Sequence, residues 1–305
     1  MNCLVTGAAG YIGGYLVEKL LSLGYTVIAV DRYRRTRPET IFGKGNKNLI
    51  PITIDILKNT EKLHPYKNKL DIVFHLAGRN NTDDAREHPM MFHDGNVTVT
   101  VRILELARLL GVKKFIYAAS ASCYGVPLVL PTPETYPASP QYIYSMTKYL
   151  GEAAVLHWGL IYKLPVISLR LFSVYGPRPR KGLGSGLFIS KFLDAIREKR
   201  PIVINGDGTQ SRDMVYISDV VSALVTAAEV KEAKGVFNVG TGKSTPLNAI
   251  IKIIGYDKIS RRRQPKGEAQ QTQADISKIR EELHWSPKVS LKVGLAKTLA
   301  EDKGK

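Results

Sequence analysis

Tyr144 and Lys148 stand one helical turn apart in the run Tyr144-Ser145-Met146-Thr147-Lys148. Residues at i and i+4 share a helix face, so an ammonium can lie beneath a phenol. A neighbouring cation favours the phenolate and draws a tyrosine down from its ordinary value of about 10. A tyrosine placed this way is a general acid or base for an alcohol substrate. The spacing alone proves little, since Tyr15 and Lys19 share it on what reads as an ordinary helix face. The Tyr144 pair differs in its company. It follows an apolar run that ends in Ser120 and Ser122, and the chain opens with a glycine loop.

That loop, Gly7-Ala8-Ala9-Gly10-Tyr11-Ile12-Gly13, follows the first apolar run and opens a helical pattern. Glycines there permit a tight turn and close backbone approach to a pyrophosphate at the helix N-terminus. The spacing is G-x-x-G-x-x-G instead of the commoner G-x-G-x-x-G. Asp31 ends the second apolar run, roughly 20 residues on, where a ribose-binding acid is required. Its carboxylate would bond the ribose hydroxyls and repel a 2′-phosphate, which favours NAD over NADP. Arg32, Arg34 and Arg35 argue the other way, because they could hold that phosphate.

These groups ride on short apolar runs that alternate with longer helical patterns. Strands are expected over 2–7, 26–31, 49–55, 71–77, 114–120 and 166–172, with helices over 11–23, 96–110 and 144–162. Apolar runs without strict alternation suit strands covered on both faces. Strand, helix, strand in repetition gives a doubly wound parallel α/β sheet of the Rossmann type. After residue 172 the pattern loosens, and Pro177, Pro179, Gly182, Gly184 and Gly186 mark loops. The expected organisation is a dinucleotide-binding domain over 1–172 and a smaller α/β substrate-binding lobe over 173–305, with interleaved segments. The 96–110 helix carries Val97, Val101 and Leu104 on one face and Val99, Ile103, Leu106 and Leu110 on another. One face can pack on the sheet, and a partner subunit would cover the second, which points to a homodimer.

The 305 residues include 44 Lys and Arg against 27 Asp and Glu, a formal net charge of +17. Such a field attracts anions, phosphorylated ligands among them. The basic residues are spread along the chain and form no DNA- or RNA-recognition motif, so nucleic acid is not an expected partner. Two basic clusters, Arg32-Tyr33-Arg34-Arg35-Thr36-Arg37 and Arg261-Arg262-Arg263, fall where a phosphate-bearing ligand could lie. Cys3 and Cys123 make neither a disulfide framework nor a zinc spacing. His88, His93 and Asp94 do not have metal-ligand spacing either, so no metal is expected. With no signal peptide and no membrane-length apolar run, a cytoplasmic protein is expected.

With the loop, the serine cluster and the Tyr–Lys pair in hand, the chain resembles the extended short-chain dehydrogenase/reductases. Within them it is similar to the NAD-dependent nucleotide-sugar epimerase/dehydratase family, and most of all to its UDP-glucose 4-epimerases. Further matches run over nearly the whole length: Asp55-Ile56, His75-Leu76-Ala77, Asn96-Val97, Ser120-Ala121-Ser122-Cys123-Tyr124-Gly125, Leu169-Arg170-Leu171-Phe172 and Tyr175-Gly176-Pro177. The later segments add Gly206-Asp207-Gly208-Thr209-Gln210-Ser211-Arg212-Asp213, Asn238-Val239-Gly240-Thr241-Gly242 and Ala274-Asp275-Ile276-Ser277-Lys278.

The resemblance implies NAD held by Gly7, Gly10, Tyr11, Ile12, Gly13 and Asp31. Asp55 and Ile56 would flank the adenine. Ala77 and Phe172 would line the cofactor path, with Leu76 and Asn96 also at the cofactor. Lys148 would bind the nicotinamide ribose as well as tune Tyr144. The catalytic hydroxyl falls at Ser120, with Ser122 as the substitute. Family dehydratases and decarboxylases carry acidic residues just after that serine, where this chain has Ala121 and Ser122. No carboxylate is then available to deprotonate sugar carbon.

At the other end of the substrate, Arg212 resembles the arginine that clamps the diphosphate. Ser173 stands where asparagine is usual, and Pro265 where a second phosphate arginine is expected, with Arg263 as a candidate replacement. Glu268 takes the place of a ribose-binding aspartate. Thr272 falls where the family controls room around sugar C2, and its small size leaves space for an N-acetyl group. The expected reaction is NAD-dependent epimerisation at C4 of a nucleotide-diphosphate sugar, UDP-glucose/UDP-galactose or N-acetylhexosamine forms, through a transient 4-keto sugar. The alternatives are an NAD(P)H-dependent nucleotide-ketosugar reductase and a non-catalytic NAD(P)-sensing protein. Proteins of the last class commonly lose the Tyr–Lys pair that this chain keeps.

Overall fold

The computed structural model describes residues 1–34, 37–43, 45–177, 188–265 and 267–303. Arg35, Pro179, Gly182, Gly184 and Gly186 therefore lie outside the described residues. The strands are β1 (Asn2–Thr6), β2 (Thr26–Asp31), β3 (Leu49–Thr53), β4 (Ile72–His75), β5 (Lys114–Ser120), β6 (Val166–Leu171), β7 (Ser173–Tyr175), β8 (Ile202–Asn205), β9 (Ser211–Tyr216), β10 (Gly235–Val239), β11 (Ser244–Pro246) and β12 (Ile259–Arg262). A 7-stranded sheet runs in the order β10-β6-β5-β4-β1-β2-β3, and every neighbouring pair in it is parallel.

β4 and β6 are buried at every residue, which is why their apolar runs show no alternation. Helices Tyr11–Ser22 and Ile217–Glu229 cover one face of the sheet, and Val99–Leu109 and Ile143–Tyr162 the other. The order reverses at β1, so the ligand crevice lies beyond the carboxyl ends of β1 and β4. The glycine loop, Asp31, Leu76-Ala77 and Ser120 all leave the sheet at that edge.

β10 belongs to the large sheet although it lies beyond residue 172, so the chain crosses back over the expected 172/173 boundary. The remaining strands form a 3-stranded sheet, β11-β9-β7, and a 2-stranded one, β12-β8.

The helix expected over 96–110 is divided. A π-helical turn, Asp94–Thr98, precedes an α-helix over Val99–Leu109. The cause is Asn96, whose side chain accepts from Arg79 N at 2.7 Å and donates to Thr147 Oγ1 at 2.9 Å. The wider turn lets the asparagine face inward to make these bonds, a device common near functional sites. The faces of this helix also differ from the sequence reading. Leu104 is fully buried within the chain, and Val97 and Val101 are half-buried, so most of the second apolar face is already covered.

The Ile143–Tyr162 helix is locked to β6 by a buried ion pair. Arg170 Nη2 meets Glu152 Oε1 at 2.6 Å, and Ser168 Oγ donates to Glu152 Oε2 at 2.7 Å. Removing one member of such a pair strands a buried charge and costs about 3–5 kcal/mol. We expect Arg170→Met to lower stability by that order in urea unfolding. The double variant Arg170→Met/Glu152→Met should recover most of the loss. A double variant as unstable as the single one would show that the pair acts through packing and not through charge.

Candidate active site

The glycine loop forms a cradle whose floor is backbone. Gly7 has φ +71°, and a Cβ there would lie 2.7 Å from Ala77 N. A Cβ on Gly13 would strike the Gly7 carbonyl oxygen. Gly10 N-caps the first helix and donates to Gly7 O at 2.9 Å. Tyr11 and Ile12 begin that helix, whose N-terminus faces the crevice. Asp31 is fixed before any ligand arrives, because its carboxylate accepts from Ala9 N at 3.0 Å and Arg32 N at 2.7 Å. A backbone cradle of this shape, with a strand-end carboxylate oriented beside it, fits a dinucleotide.

Other expected cofactor residues surround the same crevice. Asp55 sits in a turn after β3 and pairs with Arg34 at 3.4 Å. Ile56 is buried beside it, and Leu76 and Ala77 follow β4, with Ala77 N donating to Thr6 Oγ1 at 3.2 Å. Phe172 packs on Tyr124 with ring centroids 6.4 Å apart.

Tyr144 and Ser120 are neighbours at the crevice, close enough for the serine hydroxyl to favour the phenolate. Ser120 Oγ lies 2.9 Å from Ser122 Oγ, so the two candidate serines form one cluster. Lys148 is buried, donates from Nζ to Ala118 O at 2.6 Å and stands 4.2 Å from the Tyr117 ring centroid. His75 lies behind it, its ring nitrogens on Thr6 Oγ1 at 2.7 Å and Thr100 Oγ1 at 3.0 Å. Burial and then the nearby Lys148 hold His75 down to about 3, so it stays neutral.

The electrostatics depart from the sequence expectation. Burial pushes Tyr144 above its ordinary value, and the Ser120 hydrogen bond only partly opposes this. Burial likewise lowers Lys148 to about 7, with Glu152 pulling it back up. Burial strips both groups of water, and each moves toward its neutral form. Glu152, a turn beyond Lys148, was missed in sequence, although Tyr144, Lys148 and Glu152 repeat at i+4.

At the other end, Arg212 Nη2 bonds Glu268 Oε1 at 2.8 Å, while Glu268 Oε2 accepts from Asn205 Nδ2 at 2.7 Å. Asp213 is not the partner of Arg212. It is fully buried and accepts from Thr241 N at 2.7 Å, Gly242 N at 2.9 Å and Ala274 N at 3.0 Å. Thr272 N donates to Ser211 O at 3.2 Å, which places it beside Arg212. Ser173 opens β7, paired in register with Met214. Tyr142, which the sequence reading passed over, lies within electrostatic reach of Tyr144 and also of Arg212 and Glu268. It therefore joins the two ends. Among the described residues no three His, Cys, Asp or Glu side chains converge as a metal site.

Between about pH 7 and 10.5 the unfolded chain holds a proton on Lys148 that the folded chain sheds. Stability therefore rises with pH in that window. Cys123, which burial pushes up to about 12 from 9, acts oppositely only above pH 9. We expect the Tm of cofactor-stripped protein to climb from pH 7 to pH 9, and Lys148→Met to flatten the climb. Parallel profiles for the two proteins would show that Lys148 does not shed its proton on folding.

Comparison with known proteins identifies the lineage. Residues 3–240 match the NAD dependent epimerase/dehydratase family. A UDP-glucose 4-epimerase of Mycolicibacterium smegmatis is 33% identical, covering 98% of this chain and 97% of its own. The UDP-glucose 4-epimerase of Thermotoga maritima, solved with UDP-glucose, superposes with TM-score 0.89 at 34% identity over 100% of this chain and 99% of its own. The UDP-glucuronic acid 4-epimerase of Bacillus cereus, solved with UDP-glucuronic acid and NAD, gives TM-score 0.86 at 32% identity, again over 100% and 99%. With a family match across most of its length and relatives above 30% identity end to end, the chain belongs to the NAD dependent epimerase/dehydratase family.

Proposed function

We propose that this protein is an isomerase that inverts C4 of a UDP-sugar with NAD as its resident cofactor. The observation that carries the reading is Tyr144 placed at Ser120, on the helix that bears buried Lys148 one turn on, with the glycine cradle at the same edge of the sheet. Gly7, Gly10, Gly13 and Asp31 would hold NAD in that cradle, where it would supply the hydride acceptor and donor that oxidation and re-reduction of sugar carbon 4 require. Tyr144 accepts the 4-hydroxyl proton as carbon 4 is oxidised and gives it back on reduction. Ser120, seated by Ser122, donates to the developing carbonyl oxygen. Lys148, one helical turn from Tyr144, supplies a cation to the site in its protonated form, which Glu152 favours. Arg212 holds the diphosphate while the keto sugar turns over, so the nucleotide stays anchored.

Ala121 and Ser122 offer no carboxylate next to Ser120, which disfavours dehydration. We assign the cofactor chiefly to residues 1–172 and the nucleotide sugar to 173–305, with β10 shared. No helix among the described residues is long and apolar enough to cross a membrane. Both cysteines are free and buried, in keeping with a cytoplasmic setting.

We also propose a homodimer, on a surface other than the one the sequence suggested. Met146, Leu150 and Leu160 on the Ile143–Tyr162 helix are 42, 40 and 77% exposed, and Leu109 on the adjoining helix is 51% exposed. This apolar stripe faces away from the crevice and has no cover within the chain.

NMR of products from UDP-glucose, UDP-galactose, UDP-glucuronic acid and the N-acetyl forms tests the activity. Tyr144→Phe should lower kcat at least about 100-fold with the fold unchanged, and Ser120→Ala by about 100-fold. Near-wild-type turnover in Tyr144→Phe would remove that residue from the mechanism, and net NADH consumption would favour the ketosugar reductase. For the interface, wild-type protein should sediment as a dimer and Leu150→Glu/Leu160→Glu as a monomer. A monomeric wild type at micromolar concentration would discard the dimer.

A further inference from the structure

Neither motif spacing nor the family resemblance gives Tyr142 a role. It N-caps the Ile143–Tyr162 helix in an extended conformation, with φ −151° and ψ 162°. Its backbone is held on both sides. Ser145 Oγ accepts from Tyr142 N at 3.1 Å and donates to Tyr142 O at 2.7 Å, and Met146 N donates to the same carbonyl at 2.9 Å. The residue before it packs against a distant loop, since a Cβ on Gly267 would stand 3.1 Å from Gln141 Cβ. Gly267 adjoins Glu268, the carboxylate that pairs with Arg212. The start of the helix that bears Tyr144 and the Arg212–Glu268 pair are thus brought together at Tyr142, whose side chain lies within electrostatic reach of all three.

Tyr124 and Tyr136, on the segment between Ser120 and this helix, spend their hydroxyls within the chain, on Asn238 Oδ1 at 2.7 Å and Leu128 N at 3.1 Å. Among the described residues no side chain hydrogen-bonds the Tyr142 hydroxyl. The residue is 41% exposed, yet burial, with Tyr144 and Glu268, pushes its phenol up to about 12 against the pull of Arg212. Both hold because the hydroxyl end sits among these groups while the rest of the side chain is open. Tyr142 is therefore a neutral donor throughout the range in which the protein would work. A nucleotide sugar runs from hexose to β-phosphate, α-phosphate and nucleoside. With Tyr144 at the hexose and Arg212 at the diphosphate, the position between them belongs to the phosphate that carries the sugar.

We infer that Tyr142 donates its hydroxyl to the β-phosphate of the nucleotide sugar and is the pivot on which the keto sugar turns over. This inference rests on the UDP-sugar reading above and adds a substrate contact to it. Between oxidation and re-reduction the hexose must present the opposite face of carbon 4 while the nucleotide stays in place. The rotation occurs about the bonds that join the sugar to the β-phosphate, so a donor fixed at that phosphate holds the substrate in both orientations. A neutral phenol adds no charge to a place where Arg212 is already matched by Glu268. Without it the keto sugar is held from the nucleotide side alone and escapes before reduction. The hydride and proton taken from the alcohol then stay behind, and the nicotinamide remains reduced.

Calorimetric titration of NAD-loaded protein with UDP and UMP tests the contact, because only UDP carries a β-phosphate. Tyr142→Phe should weaken UDP roughly tenfold, the scale of one hydrogen bond to a charged group, and leave UMP unchanged. Given a UDP-sugar that wild type converts, the variant should also accumulate reduced nicotinamide several-fold faster than wild type, read as absorbance of the nicotinamide band. A Tyr142→Phe protein with wild-type affinity for UDP, or with UDP and UMP weakened equally, would overturn the assignment. Reduced nicotinamide that accumulates no faster than in wild type would overturn the pivot. A wild type that binds UDP but converts no UDP-sugar would sink the epimerase reading and the pivot with it, while the difference between UDP and UMP would still decide the phosphate contact.

Discussion

A lysine ammonium with almost no water around it is the constraint on which this molecule is arranged. Lys148 keeps its proton as far as about pH 7 only because the sheet offers the Ala118 carbonyl, the Tyr117 ring gives its face, and Glu152 stands one turn on. Glu152 is in turn held by Ser168 and Arg170 from β6, and Arg170 lies over the Tyr124 ring at 4.6 Å. Tyr124 hydrogen-bonds Asn238 at the end of β10. One chain of polar contacts thus runs from the helix that bears Tyr144 through three parallel strands. The positions of Tyr144 and Ser120 follow from it. A helix pinned to β6 by charge and to Asn96 through Thr147 has one register, and that register delivers the phenol to the end of β5.

The two ends of the crevice solve different electrostatic problems. Around Lys148 the difficulty is desolvation, answered by burying a compensating carboxylate that is itself paired. Around Arg212 the surroundings are more open, and the carboxylate of Glu268 is shared between the guanidinium and Asn205. A carboxylate has about four acceptor positions, so Glu268 can keep both bonds and still take a ligand hydroxyl. The Arg212–Glu268–Asn205 arrangement is therefore fixed before any ligand arrives, which would reduce the ordering cost of binding.

Much of this was legible in the sequence because the signals are local. The apolar runs without alternation, the glycine loop with Asp31 and the Tyr–Lys spacing each depend on a few consecutive residues, and all fall where the sheet order requires. What was not legible depends on pairing at a distance. Asn205 and Arg262 meet only through the register of two strands far apart in sequence, and no local motif announces the contact. The direction of the Tyr144 shift was misjudged for a related reason. Spacing reveals the neighbour, but the degree of burial depends on everything packed above it. The 96–110 pattern hid a π turn because apolar periodicity does not record which polar side chain must turn inward.

That turn has a consequence for the evolution of this lineage. A π turn is an α-helix carrying one surplus residue, so losing any single residue within 94–98 would let the backbone relax into regular winding. The flanking turns would keep their facing, because the wide turn is what absorbs the extra residue, and only the residues within it would be re-aimed. Asn96 would release the Arg79 loop and Thr147 together, although the new helix would be locally more comfortable than the old. The segment is thus a place where better local geometry and a working crevice are incompatible, and length there should be far less tolerant of change than residue type.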